Sequence, residues 1–185
     1  MNGNESKLPV RSYPQEGKQT ELLQRLLAED SNQEESLPTE VAIPEEQLDV
    51  LVFQLGGEHY GIDIHYVAEI VRYKEPAAVP HTVDFLDGII SVRGRMIPVI
   101  NGRRRLGHEP AQPDKKTRIV VLQDGTEFQG IIVDSTSQVV PLLKKDIEPT
   151  PPVVTGFKAE FLEGVFRNRN QLIILLNLQR FLQYV

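Results

Sequence analysis

Apolar residues come in short runs along this chain, and polar turns divide them. Residues 49–55 (DVLVFQL) form the first run, Gly56-Gly57 supplies a turn, and residues 59–63 return. Two short strands joined by glycine read as a β-hairpin, because glycine accepts the positive φ of a tight turn. Ile64, Val67, Ala68 and Val71 then recur at i, i+3, i+4 and i+7. That spacing predicts a short amphipathic helix over 64–71, with Glu69 on its polar side. Pro76 and Pro80 break the chain. Residues 88–92 and 96–100 make a second hairpin about the polar turn Arg93-Gly94, with Arg103-Arg104-Arg105 following. After the polar connector 107–116, residues 117–123 and 126–133 make a third hairpin about Asp124-Gly125. Residues 171–176 are apolar apart from Gln171, the pattern of a strand buried on both faces. Residues 178–185 read as a short closing helix.

The pattern repeats. Phe85 falls on Phe161, Gly88 on Gly164, Arg93 on Arg169, Asn101 on Asn177, Arg104 on Arg180 and Leu106 on Leu182, all at an offset of 76 residues. Upstream the offset is 69: Leu51 falls on Val120, Gln54 on Gln123, Gly56 on Gly125, Gly61 on Gly130 and Val71 on Val140. The difference is taken up by extra residues in the loop 150–158 (TPPVVTGFK). A chance hairpin would not keep the glycine, the tip arginine and the asparagine in register, so the chain carries an internal duplication over about 49–106 and 117–182. Each copy reads hairpin, short connecting segment, hairpin. Short strands with Gly-rich turns close into small barrels that leave no free edges. Two such barrels side by side leave a groove suited to a helix or a hairpin tip.

Charge and composition narrow the function. Residues 1–47 hold ten acids and four bases, whereas residues 48–185 hold sixteen of each. The net charge of −6 therefore sits in an acidic, largely disordered tail. A neutral body argues against nucleic acid as partner, since duplex binding needs a net-positive face. Within the tail, residues 20–28 (TELLQRLLA) put Leu22, Leu23, Leu26 and Leu27 on one helical face. At about two turns such a helix is marginal alone. It is either a docking helix or a transient one with no role. The chain has no Cys and no Trp, so the core is aliphatic and thiolate chemistry is excluded. No apolar run has the length of a membrane span, and the N-terminus lacks a signal-peptide core. A cytoplasmic protein without direct membrane insertion is expected.

The residues offer no catalytic constellation. His59, His65, His81 and His108 are scattered, with no i, i+4 pair for a metal. No nucleophile elbow, phosphate loop or dinucleotide loop occurs. Asp63 and Asp134 stand near matching strand ends and read as turn or cap residues. Arg103-Arg104-Arg105 reads as a solvated segment or a protein contact rather than a phosphate site. No cofactor, metal or catalytic residue is expected, and binding remains. The candidates are Glu69 and the tip residue Arg93, whose planar fork suits carboxylates and amide oxygens in an interface. The bland alternatives, an exposed helix position and a solubilising tip, weigh equally on periodicity alone.

Taken together, YGIDI (60–64), Val67-x-Glu69-Ile70, the G-x-I-x-x-R-G hairpin (88–94) and GIIVD (130–134) resemble the CheW family of bacterial chemotaxis adaptors. The resemblance runs from about Val50 to Leu182. It implies an all-β fold of two pseudo-repeated five-stranded SH3-like β-barrels packed side by side, with short helices, over about 48–185. It implies a non-enzymatic scaffold that couples the cytoplasmic tip of methyl-accepting chemoreceptors to the C-terminal regulatory domain of the histidine kinase CheA. Recruitment to membrane-associated receptor arrays is implied as well. By position, Val67, Glu69, Gly88, Arg93 and Gly164 fall on the family's coupling surface and glycine positions. Strand 117–121 and the segment 130–134 would border the receptor groove. The chain departs from the usual N-L-R-G with Ser91-Val92-Arg93-Gly94, and from Ile-Asp-Leu-Arg with Ile100-Asn101-Gly102-Arg103. With neither receiver nor kinase modules in these 185 residues, the stand-alone adaptor is expected. Two other readings stay open: an adaptor for twitching motility or development, and a small-ligand carrier or enzyme built on small barrels.

Overall fold

The computed structural model describes residues 46–150 and 159–183. The expected helix at 20–28 and most of the loop 150–158 lie outside them. The described residues form ten strands: β1 (Gln47–Leu55), β2 (Glu58–Asp63), β3 (Val67–Arg72), β4 (Leu86–Val92), β5 (Arg95–Asn101), β6 (Arg118–Asp124), β7 (Glu127–Val133), β8 (Ser135–Leu143), β9 (Leu162–Asn168) and β10 (Gln171–Leu176). Two one-turn helices follow the second hairpin of each repeat, α1 (Gly102–Arg105) and α2 (Leu178–Phe181). Each is capped alike. The Asn101 side chain accepts from Arg104 N, and that of Asn177 accepts from Arg180 N.

The strands form two five-stranded sheets, in the orders β8-β1-β2-β10-β9 and β3-β6-β7-β5-β4. Exchange every strand for its counterpart in the other repeat, and one order becomes the other. The division of strands does not follow the repeats, however. The first sheet takes β1 and β2 from one copy and β8, β9 and β10 from the other. Parallel pairings stitch the copies together, β10 on β2 and β5 on β7.

Each sheet curls until its ends meet. Ala77, beyond β3, bridges to Ile89 of β4, and Glu148, beyond β8, bridges to Val165 of β9. Those contacts need glycine beside them. A Cβ on Gly88 would lie 2.2 Å from the Ala77 carbonyl oxygen, and one on Gly164 would lie 2.7 Å from that of Glu148. Gly88 also holds φ +139°, a conformation that side chains avoid.

Alternation along the strands builds three cores. Val50, Val52, Val140, Phe166 and Ile173 fill the first sheet's concave side, and Ile90, Ile97, Val99, Ile119 and Val121 fill the second's. The opposite faces of β1 and β6 meet in a third cluster, where Leu51, Phe53 and Leu55 join Val120 and Leu122. One layer of apolar side chains thus holds the two sheets together.

Three sequence expectations are corrected. The helix over 64–71 is a 3-10 turn at Ile64–Tyr66, capped by Asp63, followed by strand β3. A bulge between Val67 and Glu69 turns the strand over, so Val67 packs toward the shared core and Val71 toward the second sheet's own core. That switch of face mimics helical spacing. Strand 171–176 is not buried on both faces, because Leu172 is 44 % exposed. The triple arginine is not a solvated run. Arg103 forks onto Asp134, Arg104 meets Asp87, and Arg105 is buried.

Candidate functional site: an ionic corner and an inter-sheet groove

Glu69 and Arg93 converge. Glu69 stands on β3 and Arg93 at the tip of the β4–β5 hairpin, at opposite ends of the second sheet. The curl brings them together, and Arg93 Nε donates to Glu69 Oε2 at 3.2 Å. The Arg93 side chain is 82 % exposed and that of Glu69 only 26 %. Glu69 is opposite Val121 of the concave core, so its carboxylate sits at the mouth of the curled sheet. Val92, Ile97 and Phe128 line that mouth, and the Arg95 guanidinium lies 4.4 Å above the Phe128 ring. The expectation of Glu69 on the polar side of a helix gives way to a half-buried acid on a strand.

The tip carries strain. Arg93 has φ +47° and Gly94 φ +79°, the pair of left-handed residues that a type I′ turn requires. Asn or Gly suits the first position, and a side chain such as Arg costs on the order of 1 kcal/mol there. A strained, exposed arginine at a tight turn points to a role at the surface. The other guanidinium N–H groups have no partner among the described residues. An outward fork beside a half-buried carboxylate can grip a partner's polar groups. It offers no nucleophile and no acid–base pair.

The duplicated tip differs. Arg169 also has a positive φ, +56°, but Gln138 stands where Glu69 stands in the first copy. Arg169 therefore makes no ion pair among the described residues.

A second feature was missed in the sequence. Ile70 is 41 % exposed and Val139 46 % exposed, on β3 and β8, and they match at the offset of 69. Ile70 is opposite Val120 and Val139 opposite Leu51, and both partners belong to the shared core. Ile70 and Val139 therefore carry the shared apolar layer out to the exposed edges β3 and β8, an apolar strip between the sheets. Val67 opens it, half-buried against the same core. The offset alone would have found this pair, had it been used to compare exposed positions rather than turns.

Gly88 and Gly164 are both buried, beneath the bridges that join the sheet ends. They act on the surface through the backbone that they let through. Strand β6 and the end of β7 give Val120, Leu122, Ile131 and Val133 to the shared core.

The remaining polar groups serve the fold. Arg103 donates to both Asp134 oxygens at 2.6 and 2.7 Å, and Asp134 also accepts from Gly56 N. Bonding to Asp134 raises the Arg103 pKa further and keeps its charge. The Tyr60 hydroxyl donates to Glu58 at 2.6 Å and lies 2.9 Å from His108 Nε2. Burial pushes this phenol well above its usual range, and the Glu58 hydrogen bond adds to the push. Among the described residues no three His, Asp or Glu side chains gather as a metal site, and no helix is long and apolar enough to cross a membrane.

Comparison with known proteins agrees with this architecture. The family model for the CheW-like domain matches residues 49–185. The chemotaxis protein CheW of Klebsiella aerogenes is 33 % identical over 132 residues, covering 71 % of this chain and 80 % of that protein. CheW of Treponema pallidum is 32 % identical over 144 residues, 76 % of this chain and 85 % of that one. Protein FrzA of Myxococcus xanthus is 29 % identical over 144 residues, 77 % and 88 % of the two chains. The crystal structure of the scaffolding protein TtCheW from Thermoanaerobacter tengcongensis superposes with a TM-score of 0.66 at 35 % identity, covering 71 % of this chain and 90 % of that one.

Proposed function

The chain belongs to the CheW-like domain family, and from that premise we propose how its own residues serve a chemotaxis adaptor. It is a non-enzymatic scaffold of chemotaxis signal transduction that couples chemoreceptors to the kinase CheA. The finer assignment is our reading. The cytoplasmic tip of a receptor lies in the groove between Ile70 and Val139, with Val67 at its opening. The corner made by Glu69 and Arg93 grips the C-terminal regulatory domain of CheA. Gly88 holds that corner in place through the sheet closure, and Gly164 lets the other sheet close in the same way, without a matching ion pair at its tip. Recruitment to membrane-associated receptor arrays follows from these contacts, and weak contacts on separate faces gain strength once many copies are tethered together.

The observation that carries this reading is the Arg93–Glu69 pair: two residues singled out separately in the sequence meet at 3.2 Å, on a turn that Arg strains. The test mixes the full chain with purified CheA and a receptor signalling fragment and follows kinase activity. Receptor control of the kinase should appear only when the chain is present. Failure to bind either partner would sink the assignment. A second reading keeps the same contacts in a chemosensory system for twitching motility or development. Capture of a kinase from such a system in place of the chemotaxis one would establish it.

A further inference from the structure

The groove is symmetric in its apolar centre and antisymmetric in charge at its ends. On one side, β3 pairs Ile70 with Val120 and then Arg72 with Arg118. On the other, β8 pairs Val139 with Leu51 and then Pro141 with Asp49. The two series match position by position at the offset of 69, so Arg118 in one repeat is Asp49 in the other. Strand alternation puts Arg118 on the face of Val120 and Asp49 on the face of Leu51, both toward the shared core. Apolar pairs that match stand beside charged positions that oppose.

The cationic end is built. Arg118 donates to the carbonyls of Lys115 and Thr117, which aims its guanidinium along the cleft that Arg72, Lys115 and Tyr73 also line. Arg72 and Arg118 are directly opposed, an arrangement that repels unless an anion comes near. Of the two acids in the cleft, Asp114 is occupied: it accepts from Lys116 N, Thr117 N and the Thr117 hydroxyl, bonds that lower its pKa. Glu75 is the other. At the opposite end Asp63 caps the 3-10 turn and holds His65, and Glu46 pairs with Lys144 at 2.6 Å. Among the described residues Asp49 is exposed and has no partner there.

A groove with two-fold symmetry accepts an elongated partner equally well in two orientations half a turn apart. We propose that the charge difference between Arg72/Arg118 and Asp49 selects one of them. The occupant is a helical hairpin with an apolar stripe for Ile70 and Val139, an acidic side chain over the arginines and a basic one over Asp49. This rests on the reading of the groove as the receptor site, and it adds the direction in which the receptor lies.

The absence of cysteine allows a single reporter. A nitroxide on Gln112→Cys, which lines the cationic cleft, broadens resonances of whatever part of a partner lies near it. The probe is an isotope-labelled soluble fragment of a host chemoreceptor tip. With otherwise native protein, broadening should be confined to one end of the fragment, at least tenfold stronger than at the other. In a neutralised protein (D49N, R72Q, K115Q), where Glu75 of the same cleft offsets the retained Arg118, both ends should broaden. In a charge-reversed protein (D49K, R72E, K115E) the opposite end should broaden. Arg118 is kept throughout because it holds the loop carbonyls. Broadening of the same single end in all three proteins, or of both ends in the native one, overturns the proposal. No binding to the native protein strikes the groove assignment itself. If only the reversed protein fails to bind, the neutralised one decides, both ends supporting the proposal and one end refuting it.

Discussion

Arg105 and Phe181 occupy the same place in the two repeats, and the Nε of the first donates to the carbonyl of the second at 3.0 Å. The same guanidinium donates to the Gln183 carbonyl at 2.6 Å and lies 3.9 Å over Phe85 and 4.5 Å over Phe161, which are themselves counterparts. One arginine therefore caps the end of α2 and stacks on both copies of the aromatic. Replacing it with Met should cost about 3 kcal/mol, since charge-assisted bonds and cation–π contacts are lost together. Urea unfolding followed by circular dichroism measures this. A loss under about 0.5 kcal/mol, the range of an ordinary surface change, would mean that the two sheets do not depend on Arg105.

Function and stability should separate at Arg93. Arg93→Gly relieves the left-handed strain and should leave stability unchanged or raise it by about 1 kcal/mol, the exposed ion pair adding little. Coupling of receptor to kinase should fall sharply in the same variant. Glu69→Gln should weaken coupling without unfolding. A thermal melt beside a kinase assay tests both, and a melting temperature that drops with activity would make the corner structural.

Glycine at 88 should behave in the opposite way. Gly88→Ala places a methyl against the Ala77 carbonyl at a positive φ, and should cost about 2 kcal/mol or more. Ala77 and Ile89 exchange backbone hydrogen bonds of 2.9 Å, so their amide protons should exchange faster with solvent. Gly94→Ala is the control, since nothing lies within 4 Å of its Cβ. Equal protection in both variants would mean that the bridge does not need Gly88.

Tyr60 should give stability an alkaline limit. Its folded pKa is raised above the usual 10.0 by burial and by Glu58. The fold therefore favours the neutral phenol. Its contribution is complete below about pH 10, where the unfolded chain also keeps the proton, and is lost as pH rises beyond that. Tyr60→Phe should flatten the decline above about pH 10 and cost about 1 kcal/mol at neutral pH. Parallel slopes in the two proteins would assign the alkaline loss to other groups.

Much of this was legible. Turn glycines and apolar runs located the hairpins within a residue or two, and the offsets of 69 and 76 exposed the duplication. The family resemblance supplied the five-stranded architecture, and the contact between sheets came with it. Two of the edge strands were obscured, for different reasons. In β3 the bulge after Val67 rotates the pattern into apparent helical phase. In β8 the exposed run Ser137-Gln138-Val139 and Pro141 hide a strand, because an edge tolerates both. Glu69 and Arg93 were chosen separately, and only the curl of the sheet, a long-range property, shows them as one site. Arg105 looked like solvent-facing charge because its partners are carbonyls and rings far away in sequence.

The exchange of strands between repeats also fixes an order of assembly. Every strand of the second sheet lies before residue 134, so that sheet can be completed while the chain is still being synthesised. The first sheet is completed later. Strands β1 and β2 are made first but wait for β10, whose last residue is Leu176. Until then the outer edge of β2 is an open template for pairing with another chain. The adaptor's earliest strands are thus the last to be sheltered, and force-sensitive translational arrest should register the second sheet before the first.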